Sequence, residues 1–303
     1  MSVPFAHAGV TVGVLEVVPL TVAAALYARR ASTLASRGRP VPVWRQACFA
    51  SGLLLMAIAL FSPIGHMAEE LVLMHMVEHL LIGDIGPLLL VLGLTGPLLA
   101  PVLAIRPLDR LRALAHPAVA FPLWAANLYL WHVPALYEAA YGTAPLHALE
   151  HTTFIVFGCL MWMPLLGPLP MPAWFGNAWR LGYALAVRFA GVILGNVLMW
   201  SGTVLYPRYA AGEAYWGISP LADQSTAGAI MMVEGTFVAL GVFAWLFFRT
   251  ASQGTERQRL LELAERRGIT LDEARAARAV AAGQGARLEQ RLLAGGGHEP
   301  ERP

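Results

Sequence analysis

Apolar residues gather along this chain into long runs near 9–28, 44–62, 71–92, 117–137, 146–166, 181–205 and 226–249, with shorter polar stretches between them. A bilayer core about 30 Å thick is crossed by about 20 helical residues rising about 1.5 Å each. The pattern therefore predicts an all-α, polytopic transmembrane helix bundle of about seven spans. A further apolar piece at 93–105 is short and broken by Gly96, Pro97 and Pro101, so a loop or interfacial segment is expected there. Beyond residue 250 the sequence becomes charged and helix-forming. A Thr270-x-x-Glu273 capping box and a break at Gly268 predict two short amphipathic helices between 255 and 293, and residues 295–303 are expected to be disordered. The chain thus divides into a membrane bundle over 1–250 and a water-soluble tail over 251–303.

Composition agrees with this pattern and narrows the function. The 303 residues are 57% hydrophobic and 13% charged, with a mean hydropathy of +0.58, whereas soluble domains carry about 25% charged residues. Seventeen of the 40 formal charges lie in 250–303, leaving 23 for the first 249 positions. A net charge of +2 gives no reason to expect a nucleic-acid surface.

The basic residues are all arginine, and outside the tail they concentrate at 29–45 (Arg29, Arg30, Arg37, Arg39, Arg45) and 106–116 (Arg106, Arg110, Arg112). By the positive-inside rule these connections face the cytoplasm, which puts the N-terminus outside and the C-terminus in the cytoplasm. The alternate connections, with Glu69 and Glu70, then Glu138, then Arg208, Glu213 and Asp223, face outward. The N-terminus lacks the pattern of a cleaved signal peptide, so the first run is expected to stay as an anchor. Cys48 and Cys159 stand alone in apolar stretches and read as buried thiols.

Ionisable groups inside spans are expensive and mark functional sites by default. With this topology His75 and His79, His132, and His147 and His151 all fall in the outer leaflet. Two of these groups repeat one motif: His75-Met-Val-Glu78-His79 and His147-Ala-Leu-Glu150-His151 are both H-x-x-E-H. Residues four apart share a helix face about 6 Å apart along the axis, so each copy presents a two-imidazole edge. Imidazole is the commonest protein ligand for copper, zinc and iron, and helix bundles build metal sites from facing side chains. A single membrane histidine is ordinarily explained by hydrogen bonding across helices; five in one leaflet with duplicated spacing point to metal ligation.

Glu78 and Glu150 are expected to accept hydrogen bonds from the imidazoles, with direct ligation and proton acceptance left open. Met74, Met76, Met199, Met231 and Met232 lie at comparable depth, and thioethers would favour Cu(I), although a membrane methionine ordinarily only fills space. Helix-to-helix hydrogen bonding accounts for Asn127 and Asn196, and an ion pair accounts for Arg188 with Asp84. His7, His66, His116 and His298 lie outside the predicted spans.

Several motifs occur in order: His75-Met-Val-Glu-His-Leu-Leu, Pro87-Leu-Leu-Leu-Val-Leu-Gly, Asn127-Leu-Tyr-Leu-Trp131-His132-Val-Pro-Ala-Leu-Tyr, His147-Ala-Leu-Glu-His, Leu205-Tyr-Pro-Arg-Tyr and Leu221-Ala-Asp223-Gln224 with Ala227-Gly-Ala-Ile-Met231. In this set the chain resembles the CtaG family of cytochrome c oxidase assembly proteins over most of 45–250. One departure is Glu78, where the family pattern suggests glutamine.

The resemblance implies a multi-pass protein of the bacterial inner (plasma) membrane that delivers or inserts copper during maturation of a haem-copper oxidase. It also implies partners among the oxidase subunits and a periplasmic copper donor. His75, His79, His132, His147 and His151 are then the candidate copper ligands, with Glu78, Glu150, Asn127, Trp131, Met199, Met231, Asp223 and Gln224 as auxiliary positions. Such a role makes and breaks no bond of a substrate, so a non-catalytic assembly factor is expected.

Two rival readings stay open from the residues alone. H-x-x-E-H also occurs in zinc peptidases, but two embedded copies without a further acidic ligand speak against a peptidase and hardly less against a di-metal oxygenase. Histidines on neighbouring spans also ligate haem or line a copper transport path, but the inner halves of the spans carry no matching ladder of His, Met or Cys.

Overall fold

The computed structural model describes residues 14–105, 111–281 and 283–294, and all regular structure among them is helical. In chain order the helices are α1 (Val14–Ser36), α2 (Val43–Phe61), α3 (Pro63–Ala68) and α4 (Val72–Gly93), then α5 (Gly96–Leu103), α6 (Leu111–Leu114), α7 (Pro117–Trp131) and α8 (Pro134–Gly142). They continue through α9 (Ala144–Leu166), α10 (Asn177–Trp200), α11 (Ala210–Trp216), α12 (Pro220–Arg266), α13 (Glu273–Ala281) and α14 (Gly285–Leu293). The chain forms two compact units that divide between Ala239 and Leu240, inside α12.

Five helices, α2, α4, α9, α10 and α12, are long and apolar enough to cross a bilayer, which marks a membrane protein. The first and fourth of the seven predicted spans fall outside that group. Residues 9–13 of the first run lie outside the described residues, and α1 continues past Arg29 and Arg30 to Ser36. The fourth run is a 15-residue helix, about 22 Å long, that stops at Trp131. Pro134 then starts α8 at its first turn, where a missing N–H does no harm, and so splits the run in two. The 93–105 segment contains the eight-residue helix α5, with Pro101 inside it, too short to span.

Close packing positions the elements that matter. A Cβ added at Gly158 of α9 would lie 2.2 Å from the Gly83 carbonyl oxygen, so only glycine lets α9 approach the middle of α4. Gly228 of α12 plays the same part against α10, 2.4 Å from the Gly195 carbonyl oxygen. At the point where α9 approaches, α4 widens into a π-helical turn over Leu81–Ile85. That turn holds Asp84, whose carboxylate accepts from Trp162 Nε1 at 2.9 Å and from Arg188 at 2.8 Å. Glu234 stands on the other side of the same guanidinium at 3.7 Å. Arg188 is thus shared between the buried Asp84 carboxylate and the half-buried Glu234 carboxylate.

The second unit begins within α12. After Gly268, in the left-handed conformation at φ +64°, α13 and α14 fold onto the last turns of α12 around Leu260, Ala264, Val280, Leu288 and Leu292. The first predicted tail helix is therefore the extension of α12, and the tail has three helical pieces where two are predicted. The cap of α13 is Asp272, whose Oδ2 accepts from Arg275 N at 3.2 Å, two residues past the predicted Thr270. The expected disorder at 295–303 lies outside the described residues.

Candidate metal centre

The first turns of α4 and α9 lie side by side and carry the two H-x-x-E-H motifs. Within each motif the two imidazoles lie tilted against each other along one helix face, with ring centroids 4.0 Å apart for His75 and His79 and 4.1 Å for His147 and His151. Across the interface the separations are 6.5 Å for His75 and His147 and 5.6 Å for His79 and His151. Four imidazoles from two helices therefore form one cluster. His75 is fully buried and Glu150 is 1% exposed.

The carboxylates cross over. Glu150 of α9 faces the histidines of α4, with Oε1 at 4.0 Å from His75 Nε2 and 3.7 Å from His79 Nε2. Glu78 of α4 faces the histidine of α9, with Oε2 at 3.8 Å from His151 Nε2. Each copy of the motif thus supplies the carboxylate for the other. The donor atoms of His75, His79 and Glu150 all lie within 4.8 Å of one another, and so do those of His75, Glu78 and His147. With metal–ligand bonds of about 2.0–2.2 Å, two donors on one ion sit about 3–4 Å apart, the spacing of these cross-helix pairs. Both ring nitrogens of His75 and of His79 are buried and make no hydrogen bond in the structure. Buried polar atoms are normally satisfied, so these orphan nitrogens fit coordination to a cation.

His132 stands apart from this cluster. It ends α7, and Phe154 lies between it and His79, with centroids 6.3 Å from His132 and 4.4 Å from His79. Its Nδ1 is 2.7 Å from the Leu128 carbonyl oxygen, which can only accept, so the ring proton sits there and Nε2 keeps a bare lone pair. That Nε2 is buried without a hydrogen bond. His132 and His79 share a cavity of about 60 Å³ whose lining also includes Met76, Met231, Asp84, Arg188 and Glu234.

The remaining auxiliary positions have structural partners. Asp223, at the start of α12, accepts from Val72 N at 2.7 Å and Leu73 N at 3.0 Å, and so caps α4 one turn before His75. Gln224 binds the 198–205 connection: its Oε1 accepts from Leu205 N, and its Nε2 donates to the carbonyls of Leu198 and Thr203 and to Ser201 Oγ. Asn127 accepts from Trp131 Nε1 at 3.1 Å, and the same indole donates to Thr153 Oγ1 of α9 at 2.8 Å.

Asn196 donates to Val192 O within its own helix. Both asparagines therefore bond within their own helices, α7 and α10, where helix-to-helix bonding is expected from the sequence, because a partner four residues away is within reach before any neighbouring helix; Asn127 Nδ2 stays buried without a hydrogen bond. Met231 lines the cavity and Met199 is half-buried on α10, and neither belongs to the two donor groups.

A tyrosine canopy, which carries no ligand pattern in the sequence, covers the cluster. Tyr137 meets the His75 ring edge-on at 4.9 Å, and Tyr141 lies 5.5 Å from His75 and 5.2 Å from His147. The Tyr137 and Tyr209 hydroxyls are 2.6 Å apart, Tyr206 donates to the His132 carbonyl at 2.9 Å, and Tyr141 donates to the Ala68 carbonyl. The Arg208 guanidinium lies 3.5 Å from the centre of the Tyr141 ring on the exposed side. Burial holds the Tyr209 hydroxyl well above the usual tyrosine range, so it stays protonated. Three of these tyrosines were signalled by the ordered motifs; Tyr141 had no such signal.

Comparison with known proteins agrees with the ordered motifs. The chain is 28% identical over 226 residues to an uncharacterized protein of Mycobacterium bovis and to one of Mycobacterium tuberculosis, covering 67% of this chain and 33% of each relative. It therefore spans about a third of the length of these curated relatives. No solved structure matches it. The family model described as cytochrome c oxidase caa3 assembly factor (Caa3_CtaG) matches residues 25–253, which include both H-x-x-E-H motifs, His132 and the tyrosine canopy. This chain belongs to the cytochrome c oxidase caa3 assembly factor family.

Proposed function

We propose that the cluster of His75, His79, His147, His151, Glu78 and Glu150 binds a copper ion as cargo and hands it to an oxidase subunit during assembly. The observation that carries this reading is the crossed arrangement, in which each motif's carboxylate faces the other motif's histidines at 3.7–4.0 Å while four buried nitrogens of His75 and His79 have no hydrogen bond. Imidazole and carboxylate donors suit Cu(II) better than Cu(I), which prefers sulfur. His132, with its bare Nε2 beside the Met76 and Met231 cavity, is the next ligand along a path of transfer. The protein makes and breaks no covalent bond and acts as a copper chaperone.

In this reading the chain crosses the inner (plasma) membrane seven times, with α1 and α7 as the two further spans. The arginine-rich 29–45 and 106–116 connections and the C-terminal unit lie in the cytoplasm. The site then opens toward the extracytoplasmic face, where a periplasmic donor supplies copper and the immature oxidase subunit receives it.

A second reading has a specific observation behind it. Two donor triplets lie side by side and share His75, and helix bundles that hold two metal ions build the site from paired Glu and His side chains on facing helices. A di-metal redox enzyme would bind two ions and turn over a substrate.

Copper titration of the full-length protein in detergent, read by metal analysis and electron paramagnetic resonance, separates these readings. The chaperone reading expects one copper per chain with nitrogen hyperfine structure, lost in His75→Ala and His151→Ala at unchanged helix content. Two coupled ions per chain would favour the enzyme. Unchanged copper binding in both variants would refute the ligand set.

A further inference from the structure

The C-terminal unit extends beyond the family match, which ends at residue 253, and carries a feature that copper handling does not use. Helices α13 and α14 are amphipathic. Their apolar positions Ala276, Val280, Leu288 and Leu292 are buried, and Arg275 with Arg278 and Arg287 with Arg291 occupy the opposite faces at i,i+3 and i,i+4 spacing. Gly283, at φ +66°, turns the chain between the helices. The two arginine pairs consequently line one cleft of about 290 Å³.

Among the described residues these four guanidiniums have no counter-charge paired with them. Arg257 pairs with Glu273 and Arg259 with Glu289, which uses the nearby carboxylates elsewhere. Among the described residues none of the four has a carboxylate within 4.0 Å. Four like charges converging on one concave surface repel each other unless an anion joins them. The planar fork of arginine matches phosphate oxygens two at a time.

We propose that this cleft binds a phosphate-bearing anion. Two sources share that chemistry, a lipid headgroup and a soluble phosphorylated ligand, and the placement of the cleft along α12 favours the soluble one. Gly285 abuts Glu256 and Arg267 donates to the Leu293 carbonyl, so α14 runs beside residues 256–267. The exposed apolar stretch of α12 ends at Phe247 and Phe248. At about 1.5 Å per residue the cleft begins about 10 Å beyond Arg249 for a helix that leaves the bilayer along its own axis, whereas the headgroup layer is about 6 Å deep.

The test uses full-length protein in nanodiscs and inorganic pyrophosphate as the probe, followed by calorimetric titration. In zwitterionic lipid the proposal expects saturable binding that weakens with salt, loses at least about tenfold in affinity in Arg278→Gln/Arg287→Gln, and holds within about twofold in Arg257→Gln/Arg259→Gln. Circular dichroism checks that both variants keep their helix content. Equal weakening by the two double variants would reduce the effect to general charge and overturn the site. Absence of saturable binding would overturn it as well. Competition by anionic lipid at the expense of pyrophosphate would reassign the cleft to headgroups.

Discussion

Asp223 reaches from the start of α12 to the start of α4 and holds two backbone N–H groups at 2.7 and 3.0 Å, while its side chain is almost wholly buried. Replacing it with alanine leaves Val72 N and Leu73 N with no partner at a buried helix start. Hydrogen bonds to a charged acceptor contribute about 1.5–3 kcal/mol each, and loss of a helix cap costs about 0.5–2 kcal/mol. The two losses overlap, so Asp223→Ala is expected to destabilise the folded protein by about 2–4 kcal/mol. Asn at this position keeps one acceptor oxygen but turns an NH2 toward a backbone donor and loses the charge that favours a helix N-terminus, so Asp223→Asn falls between the two.

The first turn of α4 carries His75, whose own N–H bonds Leu71 O at 3.1 Å, so fraying there also loosens the copper ligands. Equilibrium unfolding in mixed micelles, with copper affinity from competition against a chelator, measures both effects. The reasoning fails if Asp223→Ala lies within about 0.5 kcal/mol of wild type, or if stability falls by the expected amount with copper affinity unchanged.

Three further outcomes follow from the packing and charges. Gly158→Ala drives a methyl group to 2.2 Å from the Gly83 carbonyl oxygen and is expected to destabilise by about 1–3 kcal/mol or to prevent accumulation; full expression at wild-type stability would show that α4 and α9 can separate. Arg188→Gln leaves the buried Asp84 and the half-buried Glu234 without a cation and should cost about 3–5 kcal/mol, with Arg188→Lys recovering part of the loss; equal stability of Gln and Lys variants would remove the charge argument.

Glu213 sits outside the predicted spans, and burial together with the neighbouring Asp223 carboxylate raises its carboxyl above the ordinary 4.5. Its native state holds the proton more tightly than the unfolded chain, so its contribution to stability is present below about pH 4.5 and is lost as pH rises through the raised value. Glu213→Gln should therefore raise the unfolding temperature at pH 8 more than at pH 5; the opposite order would contradict the burial of a carboxylate.

Local information carries far in this chain because a bilayer makes simple demands. Twenty apolar residues without charges almost have to be a spanning helix, and four of the predicted runs, 44–62, 71–92, 146–166 and 181–205, match α2, α4, α9 and α10 to within a few residues at most ends. The H-x-x-E-H spacing likewise settles by helix geometry alone that His75 and His79 share a face, as do His147 and His151. Where a boundary depends on one turn against another, local pattern is weaker. The break after Trp131 and the fusion of the last span with the first tail helix show this, since hydropathy registers neither Pro134 as a helix start nor a charged helix that simply continues.

What the sequence determined by itself is the set of helices and the edge each presents to a neighbour. Only the tertiary structure decided which edges meet. The crossing of α4 and α9 at Gly83 and Gly158 aligns the two motifs so that Glu150 faces His75 and His79 and Glu78 faces His151, while Phe154 holds His132 aside. It also decided that Asp223 is a cap and that four tyrosines roof the cluster. These contacts join residues tens of positions apart in the chain, and they depend on approach distances of a few ångströms between helix surfaces that no spacing along one helix encodes.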